Sequence, residues 1–342
     1  MSILFNGSYD PSSLEARIMN QQQKIAEGYR QTGDAAHKAM LIGTNAARSP
    51  AEAYREFDSK SKIETIPAGE FALITRILPI AKPVTLGRKL YEHRKVSDMN
   101  TGQTSMSGTI GVKSDKVDVE YDGTPVPIHD KGFHIDFREK LAMDSEGYDS
   151  LIDYSREAER GLMRTKNNYM WNGDSSIVFK SKTWLGLFND PSVATATLAV
   201  DLSASATTTE DIRAETARVR DIMYITNNAT VGLVLVVSPQ IASNWERPLS
   251  NADSTFGSVG KYIQTNLRGI VEIIEDDKLV GNQIVFLQNN QDGFHAVSGM
   301  AINTYAIPRL HHNSNFSYVK WCAVGFMAKQ DFSGKKTALY AS

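Results

Sequence analysis

The 342-residue chain has a single cysteine, Cys322. One thiol excludes a disulfide framework within the chain and any multi-cysteine metal site. Its place after Trp321 in an apolar, strand-like stretch marks it as a small core residue. Charge of one sign is also lacking: 37 Lys and Arg stand against 39 Asp and Glu, a formal net of −2. That excludes the basic bias of a chain built to grip nucleic acid tightly. No apolar run reaches the ~18–20 residues needed to span a bilayer. The opening residues Met1–Ser13 hold no basic segment followed by a long apolar one, so no secretory signal is expected. The dinucleotide and P-loop glycine patterns, the paired-histidine zinc helix, Cys-x-x-Cys, the nucleophile elbow and the EF-hand loop are all missing. Hydrophobic residues at 41 %, with 9 % aromatics, are enough to build a core.

What is present changes along the chain. Residues 1–62 are polar and rich in Gln and Ala, with Leu14, Ile18, Ile25 and Tyr29 near one helical face. Such a segment cannot bury itself and reads as an arm that orders against something else. Phe71–Ile80 reads as a buried strand broken at Pro79. From Gly87 to Pro127 large apolar residues are scarce until Val117-x-Val119-x-Tyr121, which alternates at period two. The Gly/Ser/Thr-rich middle predicts an exposed tip, so the segment reads as a long hairpin. A two-stranded ribbon is marginal alone in water, which argues for a partner surface, with Arg94, Lys95, Lys113, Lys116 and Asp118 as candidate contacts between subunits.

Phe133, Ile135 and Phe137 alternate as one face of a strand. Leu151, Ser155, Ala158, Leu162 and Tyr169 then form one helical stripe, capped by Asp149 or Ser150 and stopped at Asn172-Gly173. Gly161 inside this helix costs ~1 kcal/mol against Ala, which packing must offset. A second helix starts at Thr208 or Thr209, with Ile212, Val219 and Met223 inward and Arg213, Glu215, Arg218 and Arg220 outward. Val231–Val237 is a continuous apolar run, as in a strand covered on both faces.

Three features invite a chemical reading. Ser59-x-x-Lys62 matches a nucleophile–base spacing but sits in a polar linker. His311-His312 read as neighbours on a strand, facing opposite ways and forming a poor chelate. Glu275-Asp276-Asp277 could hold a hard cation, but a solvated turn is the better reading. No catalytic residue, metal or cofactor is expected.

The order of the pieces resembles the major capsid proteins of tailed bacteriophages, whose fold encapsulins share. The resemblance is carried by Phe133–Glu139, the helix Ser150–Trp171 with Asn172-Gly173-Asp174, Leu185–Pro191, and Leu233–Val237 followed by Ser238-Pro239. It implies an α+β capsid fold: an N-terminal arm (1–62), a P-domain (63–86 and 128–228) with a spine helix at about 150–171, and an extended E-loop (87–127). An α/β A-domain (229–307) follows, then C-terminal strands (308–342) that return to the P-domain. It implies self-assembly into hexamers and pentamers of an icosahedral head around double-stranded DNA, bound without sequence specificity. Portal, scaffolding and decoration proteins would be partners; no membrane is involved. Assembly would occur in the host cytoplasm and the product would be a virion. Glu275, Asp276 and Asp277 would lie near the capsomer axis. The alternative is an encapsulin-type shell around protein cargo.

Overall fold

In the computed structural model the described residues are 64–342, apart from 103, 105, 107–113, 147–149, 231 and 250–256. The arm, the Ser59–Lys62 pair, Lys113, most of the hairpin tip and the Asp149 cap fall outside them. The chain opens with helix α1 (Ala72–Ile77), β1 (Lys82–Pro83), the hairpin β2 (Leu90–Val96) and β3 (Val119–Pro125), and β4 (Ile128–Ile135). Helices α2 (Phe137–Glu146) and α3 (Ser150–Asn172) follow, then β5 (Val178–Phe179), β6 (Lys182–Thr183) and β7 (Ala194–Ala196). The rest comprises α4 (Thr209–Asp221), β8 (Leu233–Val237), α5 (Pro239–Trp245), α6 (Val259–Asn266), β9 (Ile270–Glu275), β10 (Ile284–Gln288), β11 (Phe294–Ile307), β12 (Phe316–Ala328) and β13 (Ala338–Ala341).

Two sheets organise the core. One runs β1-β11-β12-β4, the other β7-β13-β10-β8-β9. All five residues of β8 are buried, flanked by antiparallel β10 and parallel β9. This is what a run without polar alternation requires. Cys322 is fully buried in β12, in the expected core role. The sheets ignore the sequence boundaries. Residues 294–307, read as part of the A-domain, form β11 and pair with β12 in the four-stranded sheet. The C-terminal β13, read as returning to the P-domain, pairs with β10 in the five-stranded sheet. It covers an edge of β10 that would otherwise leave its backbone groups unpaired.

Three local readings change as well. Phe71–Ile80 is helical: Leu73, Ile74 and Ile77 are buried at i, i+1 and i+4, one face of a helix. Pro79 sits near the start of the following 3₁₀ turn, where a missing N–H costs little. Phe137 begins α2 and does not extend β4. Glu215 points inward, accepting from Ala199 N–H at 2.7 Å and pairing with Arg218 at 2.7 Å. Elsewhere α4 follows its pattern, with Thr208 capping Asp211 N–H and Ile212 and Val219 fully buried; Met223, also fully buried, lies in the π-helical turn Ile222–Thr226 that follows.

Helix α3 has 23 residues, about 34 Å at ~1.5 Å each. Its buried face carries Ala158, Leu162, Tyr169, Met170 and Trp171. The last carbonyls of a helix need outside donors. Here Leu187 N–H donates to Met170 O and Phe188 N–H to Trp171 O, both at 3.1 Å. Trp184 Nε1 donates to Tyr169 O at 3.0 Å. The segment can come this close because Gly173 and Gly186 both have positive φ, and neither has room for a Cβ. One on Gly173 would lie 2.2 Å from the Leu185 carbonyl carbon, and one on Gly186 would lie 2.3 Å from Gly173 N.

The start of the described chain is clasped to α3 and to the turn after β9. Asn167 Nδ2 donates to Glu70 O at 2.7 Å, Arg160 to Glu64 O at 3.0 Å, and Arg164 pairs with the Glu70 carboxylate. Asp276 is fully buried, accepting from Leu73 N–H at 3.3 Å and Lys278 N–H at 3.0 Å. The solvated-turn reading of Glu275-Asp276-Asp277 is thereby overturned: the central carboxyl serves as a cap for α1. Burial pushes its pKa up to about 7 against those two backbone donors, and burial also raises Asp277.

Two predictions follow from this packing. Gly186→Ala should destabilise the fold by at least about 2 kcal/mol in urea unfolding, since backbone must move. Gly161→Ala should be neutral or stabilising by up to ~1 kcal/mol, because its Cβ would rest 3.6 Å from the Lys131 stem; equal effects at the two sites would refute the account. For Asp276 the folded pKa lies above the unfolded value of about 3.9. Its stabilising contribution is therefore full below about pH 4 and is lost as pH rises through about 7. Unfolding measured at about pH 5 and about pH 8 should show the balance between Asp276→Asn and wild type moving in the variant's favour at the higher pH.

Candidate assembly surface

The hairpin β2–β3 is paired from Leu90↔Pro125 to Val96↔Val119. Side chains alternate across it. One face carries Tyr91, His93, Lys95, Asp122 and Thr124, and it is turned toward the body of the chain. Lys95 Nζ meets Asp122 Oδ2 at 2.8 Å, and Lys182 Nζ on β6 meets Asp122 Oδ1 at 2.8 Å. Burial works against the Asp122 carboxylate, but the hydrogen bonds from Lys182 and Lys95 outweigh it and hold its pKa down to about 2. Tyr91 stands edge-on to His295 at 6.1 Å, with the Lys82 ammonium 5.4 Å from its ring. Val126, just past the hairpin, packs with Val297 and Ala323. The hairpin base is therefore bonded to its own chain, and the sequence-based picture of a wholly detached ribbon holds only for the distal part.

The opposite face carries Arg94, Val96, Val119 and Tyr121. Val96 is 45 % exposed, Val119 37 % and Tyr121 65 %. Met99 and Met106 beyond them are exposed too. This ribbon differs from an ordinary half-buried strand: the Lys95–Asp122 ion pair faces inward, while Val96, Val119 and Tyr121 face out beside the exposed Glu92 and Arg94. A strip of this kind is the kind of surface that another protein covers.

Of the candidate contacts, Arg94 lies on the outward face, and Lys116 and Asp118 are exposed on the distal part. Asp118 also ties the strands together, its N–H donating to Ser97 Oγ at 2.8 Å. Lys95 is buried against Asp122, so it is an anchor of the hairpin and offers nothing to a neighbour. Glu275 and Asp277 flank the buried Asp276, so the three do not present a common charged surface. Sequence reading missed Asp122 and Lys182; no spacing links two residues sixty positions apart. The outward apolar strip did have a signal, the alternation of Val117, Val119 and Tyr121. His311 and His312 lie in an exposed turn between β11 and β12, not on a strand. Beside them Arg309 stacks over Phe316, 4.1 Å from the ring centroid. Among the described residues no three His, Cys, Asp or Glu side chains converge as a metal site, and no helix is long and apolar enough to cross a membrane.

Solved structures similar to this chain share its fold at low identity. The capsid of Myoviridae phage XM1 aligns with a TM-score of 0.64 at 12 % identity, covering 85 % of this chain and 97 % of that one. A virus-like particle from Pyrococcus furiosus aligns at 0.55 and 12 % identity, covering 80 % and 93 %. Mycobacterium phage Che8 aligns at 0.52 and 12 % identity, covering 84 % and 96 %. The fold is thus the α+β fold of tailed-phage capsid proteins. No curated protein matches the sequence. A family model spanning residues 45–341 does match, and the chain belongs to that family, described as a family of unknown function, DUF6260.

Proposed function

We propose that this chain is the major capsid protein of a tailed bacteriophage, assembling into hexamers and pentamers of an icosahedral head that encloses double-stranded DNA. The observation that carries the reading is the hairpin's outward strip: Asp122 is satisfied within the chain by Lys95 and Lys182, while Val96, Val119 and Tyr121 remain uncovered. A second copy of the chain is the proposed cover. The fold of phage capsids supports this choice, and the net charge of −2 suits a wall along which DNA must slide during packaging. Portal and scaffolding proteins are proposed partners, with decoration proteins a further one. Assembly is proposed to occur in the host cytoplasm and to end in the virion. The body built on β8–β10 is proposed to surround the capsomer axis. The buried Asp276 gives no charge to a ring there.

A second reading is an encapsulin-type shell around protein cargo, favoured by the likeness to the Pyrococcus furiosus particle. Nucleic acid in nuclease-treated, purified particles supports the phage head; protein cargo without nucleic acid supports the compartment.

Sedimentation and negative-stain imaging of the purified chain, with scaffold supplied, should reveal closed shells; monomers or dimers alone would sink the proposal. Val119→Ser with Tyr121→Ser should change monomer stability by no more than ~0.5 kcal/mol per site, as exposed positions do, yet reduce shell yield severely. Deleting the tip between Asn100 and Gly111 should act likewise, leaving the circular dichroism of the monomer intact. Single exposed charges such as Arg94 should matter little, at ~0–1 kcal/mol per pair.

A further inference from the structure

The inward face of the hairpin meets the body of the chain over two histidines, His93 on β2 and His295 on β11. Tyr91, two residues before His93, stands edge-on to His295 at 6.1 Å. His295 is fully buried. Its Nδ1 lies 3.4 Å from Gly293 O, and its Nε2 is buried without a partner. Both ring nitrogens of His93 are buried without a hydrogen bond of normal geometry, although the Gln330 carbonyl lies near the ring. Burying a neutral imidazole leaves polar atoms unpaired; burying an imidazolium leaves a charge unpaired, which costs far more. The surroundings add to that cost. Lys82 on β1, Lys95 on β2 and Lys329 just past β12 are the cations that act on the pair. Asp122 on β3 faces His93, but Lys95 and Lys182 already hold its two oxygens. Asp292, 3.7 Å from Lys329, is 97 % exposed. Arg94, Asp331 and Lys335 border the cavity beside His93.

We infer that His93 and His295 are an acid-operated release for the hairpin: as neutral rings they seal β2 against β11, and as imidazolium ions they free it. Burial lowers the pKa of His93; the Asp122 charge opposes it, and Lys329 and Lys95 reinforce it. Burial holds His295 down to about 4, with Lys329 and Lys82 reinforcing it and the Gly293 carbonyl opposing. Both values lie below the ordinary ~6.5 of a hydrated histidine. The contribution of the sealed state is therefore full above about pH 6.5 and is lost as pH falls toward about 4. Asp122 works in a lower window. Held at about 2, it keeps both lysines down to about pH 4, below which the ion pairs weaken in turn. Mild acid thus opens the seal while the Lys182–Asp122 pair still tethers β3 to β6. The inference concerns the unassembled chain and does not rest on the shell reading.

The test is hydrogen exchange of the unassembled full-length chain at about pH 5 and about pH 8, corrected for the intrinsic pH dependence of exchange. A two-stranded ribbon is marginal alone in water, so release should appear as lost protection of the β2 and β3 amides. Their opening constant should rise about tenfold or more from the higher to the lower pH on account of His295 alone. The amides of β8 and β10 should show no such rise. His93→Gln and His295→Gln should each reduce the rise, and the double variant should abolish it; if circular dichroism shows the double variant unfolded, the single variants decide. Unchanged protection of β2 and β3 in wild type, an equal rise at β8 and β10, or a rise that survives both substitutions overturns the proposal.

Discussion

The fold depends on a backbone-to-backbone contact at the end of α3. The long helix must stop, and its terminal carbonyls must be satisfied, in the middle of the hydrophobic core. Two glycines with positive φ, Gly173 and Gly186, let the Trp184–Phe188 segment lie against the last turn and donate to Tyr169, Met170 and Trp171. Tyr169 O also accepts from Gly173 N–H, but without those donors the Met170 and Trp171 carbonyls would be buried unpaired, each at a cost of about 1–3 kcal/mol. With them, Trp171 stacks on Phe188 and Trp184 leans on Phe294 of β11. One cluster then continues through Phe326 of β12 and Leu287 of β10, so residues from both sheets share a core.

The hairpin obeys a different constraint. Its base is held by charge: Asp122 accepts from Lys95 and Lys182 and so joins β2, β3 and β6. Removing one member of a buried pair leaves an uncompensated charge, which costs far more than an exposed pair contributes. That polar anchoring frees the other face to carry apolar groups toward solvent. A ribbon built this way gains little from its own burial and offsets its ordering entropy, ~1–2 kcal/mol per residue, only when something covers it.

Much was legible in the sequence where periodicity and burial coincide. The stripe of α3, the cap and inward face of α4, and the apolar run of β8 each carry their own signal, because a helix or strand buried on a known face writes a 3.6- or 2-residue pattern. The tip composition and the Val117–Tyr121 alternation announced the hairpin for the same reason. Phe71–Ile80 was misread because a ten-residue apolar run is compatible with either period, and only the core's shape selects Leu73, Ile74 and Ile77 as one helical face. Asp276 was misread because an acidic turn is ordinarily solvated; here α1 packs over it and supplies a backbone donor from two hundred residues away.

What the sequence determined by itself was therefore most of the longer helices and strands, their order and the capsid resemblance, since those rest on local pattern. The tertiary structure decided which strand joins which sheet, so that β11 left the α/β segment and β13 entered it. It also decided that Lys95 is an anchor while Tyr121 is a surface. Pairing partners, and the depth at which a charge sits, depend on chain segments distant in sequence. Local periodicity contains no record of them.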